Sequence, residues 1–415
     1  MKPGYKQTEV GVIPVEWRAE SLKGKVAISH GFPFSSEHFS SHGPYRLTTP
    51  GHFYEEGGFR DIGEKQKHYN GLVPSGYVLH PGELIVAMTE QADGLLGSAA
   101  VIPKVDGYLH NQRLGRVKTL SSEVELGFLF YVFNSPSYRA KVRETAAGTK
   151  VKHTSPKKLL EIPVRLPPPP EQRAIAGALS DVDTLIGALD QLISKKRDLK
   201  QAAMQQLLTG QKRLPGLHGE WELTSLDQIV VRTTGFWGAQ DCDDNHPRRA
   251  EIIRAGDISP EGKLTATATR FLSEAEFSKA KCQLDDLVIT TSGNGLGKVW
   301  WCDGRTNVAA SNFVRVLRPI KSKAQGRFLS YVLRSGEASR QLLEHTATSA
   351  YPNLRPSFFS ACWILLPPVP EQTAIAEVLA DMDTELAALE QRRDKTRALK
   401  QGMMQELLTG RTRLI

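Results

Sequence analysis

Hydrophobic positions along the chain predict two long helices that begin 200 residues apart. The segments starting at Leu166 and Leu366 align without gaps, and 29 of their 49 residues are identical, which marks an internal repeat. Within each segment apolar residues recur in alternating steps of four and three, the spacing of a coiled-coil seam. The seam residues are Ile175, Leu179, Val182, Ile186, Leu189 and Ile193 in the first copy, and Ile375, Leu379, Met382, Leu386 and Leu389 in the second.

The ends of both predicted helices carry matching signals. Prolines precede each one, and Glu171 or Glu371 stands in the first turn, where the helix dipole favours a negative charge. Gly210 and Gly410 follow the last turns as C-terminal caps. A helix from Glu171 to Thr209 would be ~58 Å long. Because the ends of a compact domain usually lie close together, we expect the two helices to run antiparallel, with a globular domain at each end.

The seam becomes polar in the second half of each helix. The polar positions are Lys196, Lys200, Arg393, Thr396 and Lys400. Their sequence is equally consistent with a solvated stretch of helix and with contact to a partner.

The globular segments that precede each long helix are predicted to be α+β. Short apolar runs such as 84–88 and 287–291, bounded by turn-forming residues, are typical of strands, and 125–132 and 325–333 have helical patterning. Glu16-Trp17 recurs as Glu220-Trp221, whereas most of the remaining sequence diverges. We therefore predict two globular domains, separated by two long antiparallel coiled-coil helices in a pseudo-two-fold repeat. The predicted boundaries are 1–166 and 215–366 for the domains, and 167–214 and 367–415 for the helical segments.

Composition favours a cytoplasmic protein with a polyanionic partner. The start of the chain lacks the apolar core of a secretory signal, and no apolar run is long enough to span a bilayer. The net charge is +8; residues 1–166 contribute 21 basic against 16 acidic residues (+5), and residues 215–366 contribute 18 against 16 (+2). The four cysteines lack metal-ligand spacing, so buried free thiols are expected.

Catalytic and metal-binding motifs are not evident in the sequence. The glycine-rich run 293–298 resembles a phosphate loop, but Ser292 and Val299 replace residues that such a loop requires, so a glycine turn is favoured. Asp257, Glu261 and Lys263 resemble the two carboxylates and lysine of a nuclease site. They lie in a turn-like stretch that leaves little room for a metal ion, so a metal site is disfavoured. We predict no catalytic residue and no metal site.

Basic residues cluster near the end of the first globular segment. They are Arg139, Lys141, Arg143, Lys150, Lys152, Lys157 and Lys158, opposed there only by Glu144. Such residues could neutralise DNA phosphates or form an ordinary solvated surface, and the sequence favours neither. Weaker candidates in the second segment are Arg232, Arg248, Arg249 and Arg254.

These motifs together resemble the specificity subunit of Type I restriction-modification systems. The resemblance covers the whole chain and is strongest in 4–17, in the LPPxPEQ helix starts with their LLTG endings, and in 285–299. Asn111-Gln112 is similar to an Asn-Gln pair in the family's target-recognition domains, whereas the second half has Ser311-Asn312 at that point. The DNA-contact candidates thus include Asn111, Gln112, Ser292 and Asn294.

The resemblance implies a non-catalytic chain that selects a DNA site for other subunits. Two target-recognition domains would each read half of a bipartite, asymmetric sequence in double-stranded DNA, and the repeated helices would set the gap. The helices would also bind two modification subunits, which carry S-adenosylmethionine and methylate adenine N6. Restriction subunits driven by ATP and Mg would join the complex. The alternative is a two-domain coiled-coil scaffold that binds only protein partners.

Overall fold

The chain divides into two compact units. The computed structural model describes residues 3–90, 94–148, 151–238, 249–293, 295–346 and 352–414. The first unit is Met1–Asp190 with Arg392–Ile415, and the second unit is Gln191–Gln391. Each unit therefore combines one globular segment with parts of both long helices. The predicted fold class, α+β with two domains and two long helices, is confirmed.

The long helices are α4 and α9, of 40 and 39 residues. The helices in chain order are α1 (Leu126–Asn134), α2 (Pro136–Glu144), α3 (Pro156–Glu161), α4 (Pro169–Leu208), α5 (Glu274–Ala280), α6 (Gly326–Leu333), α7 (Gly336–Glu344), α8 (Phe358–Ala361) and α9 (Val369–Leu407).

Strands of the first unit form two main sheets and several pairs. They are β1 (Tyr5–Thr8), β2 (Gly11–Pro14), β3 (Arg18–Glu20), β4 (Val26–His30), β5 (Phe39–Ser40), β6 (Tyr45–Leu47), β7 (His68–Tyr69), β8 (Val78–Leu79), β9 (Leu84–Ala87), β10 (Thr89–Glu90), β11 (Ala99–Val101), β12 (Tyr108–Leu109), β13 (Leu114–Thr119), β14 (Lys152–His153) and β15 (Val164–Leu166). The main sheets have the orders β11-β9-β13-β4 and β5-β7-β6-β12-β8.

The described strands of the second unit follow a similar plan. They are β16 (Glu222–Ser225), β17 (Val230–Thr234), β18 (Arg249–Ile253), β19 (Ala268–Phe271), β20 (Leu287–Thr290), β21 (Val299–Trp301), β22 (Val308–Ala310), β23 (Val314–Pro319) and β24 (Trp363–Leu366). The main sheets have the orders β17-β23-β20-β21 and β19-β18-β22.

Both units share the topology of their four-stranded sheet and have a parallel strand pair in the other main sheet. The antiparallel sheet β4-β13-β9-β11 corresponds to β17-β23-β20-β21, strand for strand. In each unit the other sheet contains a parallel pair, β6 with β12 and β18 with β22, in otherwise antiparallel surroundings. One frame is thus built twice within the chain.

The main core of each unit incorporates the ends of the long helices. In the first unit, the buried Ile175 and Leu179 from the start of α4 lie in one cluster with Trp17, Phe128 and Leu407. The second unit joins Ile375 and Leu379 from the start of α9 to a cluster containing Leu207 and Phe328. Burial of these apolar faces, at roughly 25 cal/mol per Å², ties the helices to the sheets.

Ion pairs show that the helices run antiparallel within each unit. In the first unit Lys400 pairs with Asp183 at 2.6 Å and Arg393 with Asp190 at 3.5 Å, so positions rise on one helix as they fall on the other. In the second unit Lys196 pairs with Glu385 at 2.6 Å and Lys200 with Asp383 at 2.5 Å. Every predicted seam residue is buried or half-buried.

A buried carboxylate at the start of α4 joins three parts of the first unit. Glu171 is 2% exposed and accepts a hydrogen bond from the Trp17 indole N–H at 2.9 Å. Arg413, beyond the end of α9, donates to both Glu171 oxygens at 2.6 and 2.9 Å and pairs with Glu16 at 2.7 Å. Those contacts raise the pKa of Arg413. Bidentate, charge-assisted hydrogen bonds between arginine and a carboxylate are among the stronger polar interactions in proteins.

The second unit repeats this arrangement with equivalent residues. Glu371 is 1% exposed and accepts from the Trp221 indole N–H at 3.1 Å. Arg213, after the end of α4, donates to the two Glu371 oxygens at 2.9 and 2.5 Å. In each unit, therefore, an ion pair joins the start of one long helix to the segment that follows the end of the other long helix.

Replacing Glu171 by Gln should destabilise the first unit, because Arg413 would lose its buried carboxylate partner and keep only its pairing with the exposed Glu16. We expect a loss of about 1.5–3 kcal/mol in the free energy of unfolding, measured by urea denaturation. Glu144→Gln is the control, since Glu144 pairs with Lys141 in solvent, with both side chains about 60% exposed, and should have little effect. Equal stability of the two variants would contradict this role for Glu171.

Candidate nucleic-acid interface

The basic cluster of the first globular segment is only partly available to a ligand. Lys157 is 78% exposed, with Glu161 at 4.0 Å. Lys158 donates to the Thr145 carbonyl at 2.6 Å, and Lys152 lies 3.7 Å from the buried carboxylate of Glu90. Lys150 lies outside the described residues. A phosphate-binding role for these lysines stays a prediction.

Arg139 is buried, which argues against the predicted DNA contact. Its side chain is in the interior of the first unit, where it donates to the carbonyls of Leu96 at 2.8 Å, Glu55 at 3.0 Å and Gly94. Burial lowers the pKa of Arg139 to about 10. The guanidinium stabilises the loop before β11 and is not free to meet phosphates. Its neighbours Lys141 and Arg143 are exposed.

A second buried group holds the same loop. The Glu90 carboxylate accepts hydrogen bonds from the backbone N–H groups of Leu95 at 2.9 Å and Leu96 at 2.6 Å. Arg139 and Glu90 thus satisfy the carbonyl and amide groups of one short loop. Glu90 has no distinguishing signal in the sequence, since a lone acidic residue after a strand does not reveal its burial.

Candidates in the second segment lie in several environments. Ser292 is half-buried and forms an isolated bridge with Asn353, and Arg249 begins β18. Asn294 and Arg248 lie outside the described residues. The described residues of the glycine-rich run, Gly293 and 295–298, lie between β20 and β21 and contain the turn-type hydrogen bond from the Leu296 N–H to the Gly293 carbonyl at 3.1 Å.

Two arginines named as weaker candidates are engaged within the second unit. Arg254 donates to both Asp257 oxygens, at 2.7 and 2.9 Å. Asp257, the first residue of the set that imitated a nuclease, is therefore already paired with a cation. Arg232 stacks over the ring of Phe359, with its guanidinium carbon 4.7 Å from the centroid.

Asn111 and Gln112 lie in a tight turn that leads into β13. The Leu114 N–H donates to the Asn111 carbonyl at 3.0 Å, which places Gln112 and Arg113 at the two central positions, both exposed. Arg113 was not singled out, although its position beside Gln112 was the available signal. The turn borders a cleft of about 400 Å³ whose lining includes Phe39, Lys65 and Lys67.

The polar part of the helix seam contacts the opposite helix. In the first unit, the Tyr131 hydroxyl donates to Asp183 at 2.8 Å, and the Lys400 ammonium that pairs with Asp183 lies 5.6 Å from the Tyr131 ring centroid. Tyr331, Asp383 and Lys200 form the same trio in the second unit. Burial raises the pKa of Tyr131 and of Tyr331, so both act as hydrogen-bond donors. Lys196, Lys200, Arg393 and Lys400 thus pair with acidic residues of the other long helix of the same chain, and contact of this stretch with a partner protein stays a prediction.

Other chemistry has little support in the described part of the chain. No group of three or more His, Cys, Asp or Glu there could hold a metal ion. Cys282, Cys302 and Cys362 are buried free thiols, whereas Cys242 lies outside the described residues. Among the helices that the structure describes, none is long and apolar enough to cross a membrane.

Comparison with known proteins identifies the family. The family model for the Type I restriction modification DNA specificity domain matches residues 14–195 and again 218–397. The chain is 22% identical to the EcoBI specificity subunit of Escherichia coli, over 94% of this chain and 84% of that protein. A Type I S subunit from M. genitalium has a TM-score of 0.61 at 14% identity, with 98% and 99% of the chains covered. A structure from work on complex assembly of the type I R-M system has a TM-score of 0.54 at 16% identity, with 96% and 99% covered.

The chain belongs to the family of DNA specificity subunits of Type I restriction-modification systems. Because these subunits recognise DNA and leave catalysis to other chains, the expectation of a non-catalytic recognition protein is confirmed.

His110, next to the turn, should make the first unit sensitive to acid. It is fully buried, its Nδ1 has no partner among the described residues, and burial lowers its pKa to about 4. The unfolded chain, with a histidine pKa of 6.5, therefore takes up the proton first, and stability is lost as the pH falls from 6.5 towards 4. We expect a loss of about 3 kcal/mol from this group, measured by urea denaturation across that range.

His110→Ala is the matched variant, because Ala310 occupies the corresponding position in the second unit. Its stability should fall less steeply between pH 6.5 and 4 than that of the wild type. Parallel curves for the two proteins would show that His110 does not titrate as expected.

Proposed function

We propose that the chain recognises a bipartite, asymmetric sequence in double-stranded DNA, with one half-site read by each globular segment. This proposal is supported chiefly by one observation: the two units share a sheet topology but expose different side chains at equivalent positions. The sheets β4-β13-β9-β11 and β17-β23-β20-β21 have one topology, yet the turn before the second strand of each presents Gln112-Arg113 in one unit and Asn312-Phe313 in the other.

Electrostatics supports DNA as the ligand. The chain carries a net charge of +8, and the cleft beside the first turn is lined by three cations and no carboxylate. Positive surfaces of this kind attract the phosphate backbone, while side chains in the grooves discriminate between bases.

The long helices are proposed to bind two modification subunits. Leu192 and Leu199 lie seven residues apart on α4 in the second unit, and both are exposed, at 39% and 49%. Apolar residues at this spacing share one face of a helix and form a stripe that another helix can cover. Leu185 is similarly exposed in the first unit.

Chemistry in the complex would then belong to the partners. The modification subunits would carry S-adenosylmethionine and methylate adenine N6 within the selected sequence, and restriction subunits would use ATP and Mg. The described residues of this chain offer a recognition surface and a helix pair, which suits the task of choosing the site.

Exchange of one globular segment should change one half of the recognised sequence. The complex with modification subunits should bind its target at least ~10³-fold more tightly than scrambled DNA, as is typical of specific binders. Methylated adenines mapped by sequencing define the target. After residues 215–366 are replaced by those of another family member, one half-site should change and the other should persist. Equal affinity for target and scrambled DNA, or a change in both half-sites, would contradict the proposal.

Polar substitution of the exposed leucine stripe should weaken assembly. The Leu192→Gln, Leu199→Gln double variant replaces two side chains that the modification subunit would bury. Full burial of each leucine would contribute about 1.5–3 kcal/mol to the free energy of binding, and most of that apolar surface is lost in the variant. We expect at least a roughly tenfold weaker association, measured by isothermal titration calorimetry. Leu72→Gln is the control, as Leu72 is 94% exposed outside the helices. Unchanged affinity in the double variant would place the docking surface elsewhere.

A further inference from the structure

The turn Asn111–Leu114 is held rigidly by the backbone, while its central side chains are free. The Phe32 N–H donates to the His110 carbonyl at 2.8 Å, and the Gln112 N–H donates back to the Phe32 carbonyl at 3.1 Å. Gly31 fits against this segment only because it lacks a side chain, since a Cβ there would lie 2.2 Å from the Asn111 carbonyl oxygen. Within the described residues, the side chains of Gln112 and Arg113 form no hydrogen bond or ion pair.

The cleft beside this turn has the character of a polyanion site. Its lining combines Lys65, Lys67 and Arg113 with Asn111, Gln112 and the rings of Phe34 and Phe39, and no carboxylate takes part. The Lys67 ammonium lies 5.8 Å from the Phe39 ring centroid. The three cations of the lining repel one another, and the negative charge of a phosphate backbone in the cleft would offset that repulsion.

The second unit builds the same turn with different side chains. The Val314 N–H donates to the Ser311 carbonyl at 3.3 Å, and the Phe236 N–H donates to the Ala310 carbonyl at 3.0 Å. Gly235 takes the place of Gly31, because a Cβ there would lie 1.9 Å from the Ala310 carbonyl oxygen. The central positions are Asn312 and Phe313, both exposed, and Phe313 is 50% accessible.

We propose that these two turns read base edges, one in each half-site, and that Lys65 and Lys67 bind the flanking phosphates. This inference rests on the proposed DNA-reading function. In the first unit, Arg113 has the donor fork that fits guanine and Gln112 has the amide that fits adenine. In the second unit, Asn312 fits adenine and the Phe313 ring fits the thymine methyl group. The rigid backbone orients these side chains before DNA arrives, which lowers the entropic cost of binding.

The test measures sequence preference in the full complex with modification subunits, using a randomised double-stranded DNA library. Arg113→Ala and Gln112→Ala should each relax the preference at one position of one half-site, with roughly tenfold weaker discrimination between bases there. Arg113→Lys keeps the charge but loses the fork, and should retain overall affinity while losing discrimination. Asn312→Ala and Phe313→Ala should relax the other half-site only.

Two controls separate base reading from charge and folding. Lys104→Ala removes an exposed cation of the same domain outside the cleft, and should leave the preference unchanged. Lys65→Gln with Lys67→Gln should weaken binding to all sequences and reduce the slope of log affinity against log salt by roughly 0.9 for each phosphate that is no longer neutralised. Because Lys104 and the substituted side chains of the cleft and turns are all exposed, the melting temperatures of the variants should match that of the wild type.

The outcomes are distinguishable. A wild-type complex that selects no sequence would overturn the proposed function itself. A selective wild type with unchanged preference in all four alanine variants of the turns would overturn this inference alone. If the variants bind all sequences more weakly by the same factor, without a shift in preference, the turns contact only the DNA backbone. That result would also overturn the inference.

Discussion

The fold depends on two buried carboxylates, Glu171 and Glu371, at the starts of the long helices. Each carboxylate accepts a hydrogen bond from the indole N–H of a tryptophan in a globular segment. Each also accepts hydrogen bonds from the guanidinium group of an arginine in the segment that follows the other long helix. A carboxylate with so little exposure to water would be costly without these partners, so the helix start, the tryptophan and the arginine must come together at once. This requirement fixes where the helix ends meet the cores of each unit.

The trios of Tyr131, Asp183 and Lys400, and of their equivalents, extend the same principle along the helices. An apolar seam alone tolerates sliding by a heptad, because one leucine can replace another. A tyrosine hydroxyl and an ammonium that share one carboxylate have a single satisfactory alignment. Polar contacts therefore set the register, and the apolar residues supply most of the burial.

The sequence predicted the helices well because their signals are local and occur twice. Ile175 to Ile193 show the seam period directly, and Gly210 and Gly410 mark the helix ends. It could not decide the role of Lys196 or Lys200, since their partners Glu385 and Asp383 are far away along the chain. Arg139 was wrongly placed among the surface cations because charge is visible in a sequence and burial is not. Arg113 was overlooked because its importance lies in the cleft formed with Lys65 and Lys67, which only the fold brings near.

The equivalence of the Asp183–Lys400 and Asp383–Lys200 contacts has a consequence for how genes of this type can recombine. Asp183 and Asp383 are matched, as are Lys200 and Lys400, so a genetic crossover between the two copies within the helix-coding stretches would leave each of these two aspartates facing a lysine. The flanking globular segments could then be exchanged as intact units, without a new partner having to arise for either aspartate. A protein organised in this way can bring together a new combination of domains in one recombination event while keeping these helix contacts.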